Sequence, residues 1–339
     1  MTRRHSAFSL SELQRTRRHA GFSLIELMIV GAILGLASVY MLGSVATTNH
    51  TYAMVEQVTE SQQALRAAAD LLERDLRHAG LMIPEGAAVC AVDNDGAPDV
   101  LYISDAEALD PQSDLTIYSG ASMAGSSVSS GVIVLGSLII EPSPPLRAAY
   151  DADGDGTNDS DFQAEAGVIF VDVAETSRGT ACGSVDSVNT GASSISVTIA
   201  SDALGASGGG AQLVAVPAHR YRIVNGDQLK RNSMTVAEGI EDFQVVFWLD
   251  LDGDGQVGGG EILGDGSGAN DYSSTDTDIA TLREMRFNLV VRTRNEDRNL
   301  EGKFQAKENR DPSNTTDGYR RRVHTSHIRI RNLGARVGS

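Results

Sequence analysis

The chain has 339 residues, 35 of them glycine, 5 % aromatics and a formal net charge of −17. An acidic surface argues against nucleic acid as a partner, because phosphate contacts need a basic face. The two cysteines, 92 residues apart, exclude a CxxC redox or zinc motif.

Residues 1–21 carry Arg3, Arg4, Arg15, Arg17 and Arg18 against Glu12. This segment contributes +4 and leaves −21 on the remainder. The stretch Arg3–Leu13 is echoed by Arg17–Leu27, with Ala7 where the second copy has Gly21. The first copy runs into Gln14-Arg15-Thr16-Arg17-Arg18 and cannot enter a membrane, so residues 1–21 are read as a leader and excluded from the fold. Phe22–Val45 is apolar apart from Glu26 and small hydroxyl residues, long enough to cross a bilayer. Arginines before it and none soon after predict its N-terminus on the cytoplasmic side. Both cysteines then lie outside the cytoplasm, where disulfides persist. Cys90 and Cys182 are read as one structural disulfide, with two separate buried thiols as the alternative. Gly31 and Gly35, spaced G-x-x-x-G, allow close helix approach or reflect ordinary tolerance of glycine in membrane helices.

Glu26 is the anomaly of the apolar run. An ionised carboxylate in hydrocarbon costs about 2.5–3.5 kcal/mol even on forgiving insertion scales, and a helix serving only as an anchor gains nothing from it. Gly21-Phe22-Ser23-Leu24-Ile25-Glu26 at the head of an apolar helix resembles the processing site of type IV prepilins and pseudopilins. The resemblance implies cleavage between Gly21 and Phe22 by a membrane-embedded prepilin peptidase and N-methylation of Phe22. It further implies that Glu26 neutralises the terminal amine of a neighbouring subunit.

No proline interrupts Phe22 to Leu81. Past the membrane run, Val55, Val58, Gln62, Leu65, Ala69, Leu72 and Leu76 step by threes and fours, one apolar stripe on a polar helix. Gly80 is a fitting C-terminal cap, with Pro84 just beyond. A helix this long cannot stand alone in water, so its outer half should pack on a globular domain.

From Cys90 the period becomes that of strands. Apolar runs at Val100–Ser104, Leu115–Tyr118, Val132–Ile140, Val168–Val173, Ile195–Ala200 and Gln212–Val216 alternate with turns. Tyr221–Arg231 reads as a hairpin turning at Asn225-Gly226. Ile240–Leu249, an alternating strand through Met285–Val291 and a last strand near Tyr319–Arg331 follow. Gly120–Ser130, Gly205–Gly210 and Glu296–Asp317 read as loops. The expected class is α+β, one long N-terminal helix packed on an antiparallel sheet domain. The expected organisation is a leader at 1–21, a transmembrane helix at 22–46, its amphipathic extension at 47–80 and an extracytoplasmic β-rich domain at 81–339.

Asp75-Leu76-Arg77-His78-Ala79-Gly80, the Tyr221–Leu249 stretch with Ala237-Glu238-Gly239-Ile240, and the arginine-rich closing strand are similar to PilW-type minor pilins. The resemblance covers both ends of the chain and does not extend over roughly residues 93–210. It implies a minor pilin that joins or primes a type IV pilus. Its partners would be other major and minor pilins, through the N-terminal helix, together with the prepilin peptidase and the inner membrane. The alternatives are a J-type minor pseudopilin of a type II secretion system and a membrane-anchored, calcium-dependent surface adhesin.

One further motif carries chemistry. Asp250-Leu251-Asp252-Gly253-Asp254-Gly255-Gln256 with Glu261 fits the D-x-D-x-D-G-x5-E pattern of a calcium loop. Calcium wants six to eight oxygens. Asp250, Asp252 and Asp254 would supply carboxylates, Gln256 a backbone carbonyl, and Glu261 a bidentate closure. Asp151, Asp153, Asp155, Asp159 and Asp161 begin a second, weaker copy whose twelfth position is Phe162. No zinc helix, phosphate-cradling loop or nucleophile elbow is present, and an enzyme is not expected.

Overall fold

The computed structural model describes residues 22–81, 83–84, 86–105, 118–124, 127–129, 132–134, 138–143, 162–173, 176–189, 194–200, 203–204, 213–266, 272 and 277–333. The chain divides into two compact units, Met1–Val55 and Glu56–Ser339. Helix α1, Leu24–His78, contributes to both.

Within the first unit the helix buries none of its apolar side chains. Leu24, Leu27, Met28, Ile33, Leu36 and Tyr40 are all exposed. Its hydroxyl residues bond inward: Ser38 Oγ donates to the Leu34 carbonyl at 2.8 Å, Thr47 to Gly43 at 3.0 Å, Thr48 to Ser44 at 2.8 Å and Thr51 to Thr47 at 3.0 Å. These side chains satisfy themselves on the helix's own backbone, which suits a segment that meets hydrocarbon.

In the second unit α1 is followed by β1 (Val89–Val92), β2 (Val100–Ile103), β3 (Tyr118–Ala124), β4 (Ser127–Ser129), β5 (Val132–Val134) and β6 (Leu138–Ser143). Next come β7 (Gly167–Asp172), β8 (Thr180–Asn189), β9 (Ser194–Ile199), β10 (Ala203–Leu204) and β11 (Leu213–Val224). The chain closes with β12 (Gln228–Arg231), β13 (Met234–Glu238), β14 (Ile240–Leu249), β15 (Ile262–Leu263), β16 (Leu282–Arg292) and β17 (Arg321–Ile328). The pairings are antiparallel throughout.

Strand β11 organises the unit. Its first half, Leu213–Ala218, pairs with β7, and Val214 and Ala215 also pair with β3. Since β3, β6, β9, β8 and β7 follow one another in hydrogen-bonded order, the return from β7 to β11 closes a ring of six strands. The second half of β11 leaves the ring: His219–Tyr221 pairs with β2, and Tyr221–Val224 pairs with β12. A separate sheet runs β15-β14-β16-β17.

Three apolar clusters follow from this layout. Leu65, Ala68, Ala69, Leu72 and Leu76 of α1 lie against Phe243, Val245, Phe247, Met285, Phe287 and Leu289 of β14 and β16. Burying a leucine such as Leu72 or Leu76 fully is worth about 1.5–3 kcal/mol, so this seam is what keeps the outer helix folded. Phe162, Val168, Phe170, Val185, Ile195 and Val197 form a cluster on the ring strands. Tyr102, Ile169, Val171, Val214 and Val216 form the third, around Cys90 and Cys182. Strand β7 is buried at every position because Val168 and Phe170 face one cluster while Ile169 and Val171 face another. A continuous Val-Ile-Phe-Val run is the sequence mark of a strand buried on both faces.

The expected elements that fall on described residues are present, with four corrections; the leader at 1–21, most of the Leu115–Tyr118 run and the Gly205–Gly210 loop lie outside the described residues. Gln212–Val216 and Tyr221–Val224 are one strand, not two. Pro217 and the break in alternation mark where β11 changes partners, and the Pro217 carbonyl accepts Ser104 Oγ at 2.7 Å. Val132–Ile140 is split between β5 and β6, which belong to different sheets. Gly120–Ser130 contains strand rather than only loop, because β3 and β4 pair through backbone that needs no apolar alternation. The apolar stripe buries fully only from Ser61 onward; Val55 is 58 % exposed. Helix α1 stops as expected: Gly80 has φ +80°, the left-handed turn that favours glycine, and its N–H donates to the Ser104 carbonyl at 3.0 Å.

Candidate functional site

At the N-terminus of α1, Phe22 and Ser23 precede the first helical residue, and Phe22 is 84 % exposed. The Ser23 N–H donates to Glu26 Oε2 at 3.1 Å. This is one half of a capping box, in which an acid at the third helical position reaches back to an orphan amide. The pattern Ser23-x-x-Glu26 was legible in the sequence as a cap. Glu26 also sits in the first turn, where the helix dipole favours a negative charge. Gly21 lies outside the described residues. A Cβ added at Gly31 or Gly35 would meet nothing within 4 Å in this chain, so both leave a clear groove on the helix surface.

Farther along α1 one acid is buried in the seam. Asp75 accepts from Tyr221 Oη at 2.6 Å and from Arg231 Nε at 2.7 Å, and its side chain is 1 % exposed. Arg74 also reaches Asp75 Oδ1, from a half-exposed position. Burial and the neighbouring Asp75 carboxylate push the Tyr221 phenol far above its usual range. Beside them His219 is buried, and desolvation with the nearby Arg231 charge lowers its pKa to about 4. Glu73 accepts from Ser326 Oγ at 2.6 Å, and Asn332 Nδ2 donates to the Ala79 carbonyl at 3.0 Å, so β17 and the segment after it also hold the helix end. Asp75 and its partners were not legible as a cluster: Tyr221 and Arg231 lie 146 and 156 residues away.

The acidic loop follows β14. Among the described residues, one carboxylate oxygen from each of Asp250, Asp252 and Asp254 lies within 4.8 Å of the others. Asp250 Oδ2 is held by Arg283 through Nε at 3.0 Å and Nη2 at 2.5 Å, and accepts the Gly255 N–H at 3.2 Å. The Arg283 hydrogen bond holds the Asp250 carboxyl below its usual range. Asp252 Oδ1 accepts the Asp254 N–H at 3.1 Å, and Asp254 Oδ1 accepts the Gln256 N–H at 2.7 Å. Gly253 and Gly255, with φ +75° and +80°, make the reversals that bring the three acids together. Glu261 departs from the expected geometry. Its Oε1 accepts from Leu251 at 2.7 Å and from Asp252 at 3.3 Å, and its Oε2 accepts from Gly258 at 2.5 Å. It ties the loop's two ends through backbone amides instead of joining the three aspartates. Arg283 carried no local signal, being 33 residues from Asp250. The second acidic run, Asp151–Asp161, lies outside the described residues.

Cys90 on β1 and Cys182 on β8 form a disulfide with a Cα–Cα distance of 6.2 Å, linking the strand beside β2 to the six-stranded ring.

Two family profiles match the chain. The prokaryotic N-terminal methylation motif covers residues 16–42, and the type IV pilus-assembly protein W family (PilW) covers residues 205–332. No curated protein matches. Among solved structures, the chain is similar to a type IV-like pilin from Thermus thermophilus at 10 % identity and a TM-score of 0.29, over 80 % of this chain and 96 % of that one. That score is too low for the two folds to be equated, and the assignment rests on the two sequence segments. They do not favour the pseudopilin or adhesin alternatives. With a methylation motif at the head of its exposed apolar helix and a PilW region over β11 to β17, this chain is similar at both ends to PilW-type type IV minor pilins.

Proposed function

We propose that the chain is cut between Gly21 and Phe22 by a prepilin peptidase, methylated at Phe22, and drawn from the inner membrane into a type IV pilus, or into the complex that primes one. The observation that carries this reading is the Phe22–Val45 surface: an apolar helix with no partner within the described chain and one carboxylate at its head. In the bilayer, lipid covers that surface; in the fibre, other pilin helices replace lipid. An ammonium from a neighbour's residue 22 would complete the charge of Glu26, and a pair of that kind offsets the cost of carrying an acid in hydrocarbon. The role is structural rather than catalytic, and the β-rich unit is displayed outside the cytoplasm.

The test is Glu26→Ala in the native host. Cleaved protein starting at N-methyl-Phe22 should accumulate in the membrane and be missing from sheared pili. Equal incorporation of the variant would refute the role of Glu26. A mature N-terminus elsewhere than Phe22 would refute the processing step.

A further inference from the structure

We propose that Asp250, Asp252 and Asp254 bind a calcium ion on the loop between β14 and β15. The three acids alone would not carry this, since exposed carboxylates often gather without an ion. The second observation is Asp250 itself. Its side chain is fully buried, and while Oδ2 is saturated by Arg283 and Gly255, Oδ1 is buried with no hydrogen-bond partner. Oδ1 is therefore the Asp250 oxygen left to take a ligand, on a residue whose carboxylate already groups with those of Asp252 and Asp254. A buried, unpaired carboxylate oxygen is unfavourable, and an ion seated among the three acids removes the defect.

Charge points the same way. Three aspartates and Arg283 leave two negative charges, which one divalent cation neutralises. Glu261 is compensated separately by the amides of Leu251, Asp252 and Gly258. The donor set is all oxygen, which selects hard cations over zinc or copper. Asp252, Gly253, Asp254 and Gly255 are exposed, so water can fill the remaining positions. Such a yielding loop suits calcium, which accepts irregular geometry, better than magnesium, which demands a near-ideal octahedron. Arg283 holds Asp250 through Oδ2 and leaves Oδ1, as outer-shell partners of metal ligands do. With only three carboxylates, affinity should fall in the range of extracellular modules, a Kd of about 10⁻⁴–10⁻³ M.

The experiment uses the full chain in detergent micelles, stripped with chelator, and terbium as the probe. Trp248, the only tryptophan in the chain, lies two residues before Asp250 and can sensitise a terbium ion bound there. Excitation of Trp248 should give terbium emission that calcium displaces and that magnesium displaces at least about tenfold less well. Asp252→Asn with Asp254→Asn, both exposed and so neutral for folding, should abolish the emission while circular dichroism stays unchanged. Absence of emission would overturn the proposal and leave Arg283 as the loop's only cation. Emission that persists in the double variant would overturn it too, placing the ion elsewhere.

Discussion

Replacing Asp75 with alanine tests how the outer helix is fixed to the sheets. Asp75 is 1 % exposed and receives two short charge-assisted bonds, from Tyr221 at 2.6 Å and Arg231 at 2.7 Å. Alanine removes the shared acceptor of both bonds, and the Arg231 side chain is itself only 13 % exposed. Breaking one partner of a buried ion pair costs about 3–5 kcal/mol. Arg74, half-exposed, adds little through its own contact. For a folded unit of this size each kcal/mol moves Tm by about 2–4 °C, so Asp75→Ala should lower Tm by about 6–20 °C. Tyr221→Phe, which leaves the ion pair in place, should cost less, about 1.5–3 kcal/mol. The assay is thermal unfolding of the full chain in detergent, followed by far-UV circular dichroism. Combining the two substitutions should cost less than the sum of the single losses, because both act on one network. A Tm within about 3 °C of the parent for Asp75→Ala, or strict additivity in the pair, would refute the reasoning.

Other expectations follow from the same geometry. Replacing Cys90 and Cys182 together with alanine opens a loop spanning 92 residues and should cost about 4–5 kcal/mol by chain entropy, read as a fall in denaturant midpoint. His219 is held neutral in the folded chain, with its pKa depressed from 6.5 to about 4 by burial and Arg231. The unfolded chain therefore binds a proton first, and stability should be intact above pH 6.5 and fall as pH drops from 6.5 toward 4. The loss for this group is about 3 kcal/mol, and His219→Gln should flatten that part of the stability–pH curve.

Local chemistry explains what could be read from the sequence. The α1 boundaries, the Asn225-Gly226 turn with φ values of +53° and +82°, and strands β7, β14 and β16 are each set by residues adjacent in the chain. The Asp250–Asp254 group was legible for the same reason: alternate acids with glycines between them gather wherever the loop turns. Relations made across the fold were hidden. Nothing near Asp75 announces Tyr221 or Arg231, and nothing near Asp250 announces Arg283. Ring closure was hidden as well, because β3 is rich in small and hydroxyl residues, and pairing between strands far apart in sequence leaves no periodic trace. Glu261 was legible as a member of the loop, but its hydrogen bonds to the Leu251, Asp252 and Gly258 amides were not.

Strand β11 is shared between two bodies, and this governs how the molecule can vary. The ring strands from β3 to β9 fall outside both family-matched segments. A module hung on a loop can be traded between relatives at little cost to its host. This one is spliced into the host's own hydrogen-bond ladder at Leu213–Ala218 and bolted to β1 by Cys182. Exchanging it would require a replacement that keeps the register of β11 and supplies a cysteine at the same place. Any change in the ring that leaves the register of Leu213–Ala218 and the position of Cys182 untouched would keep this splice intact.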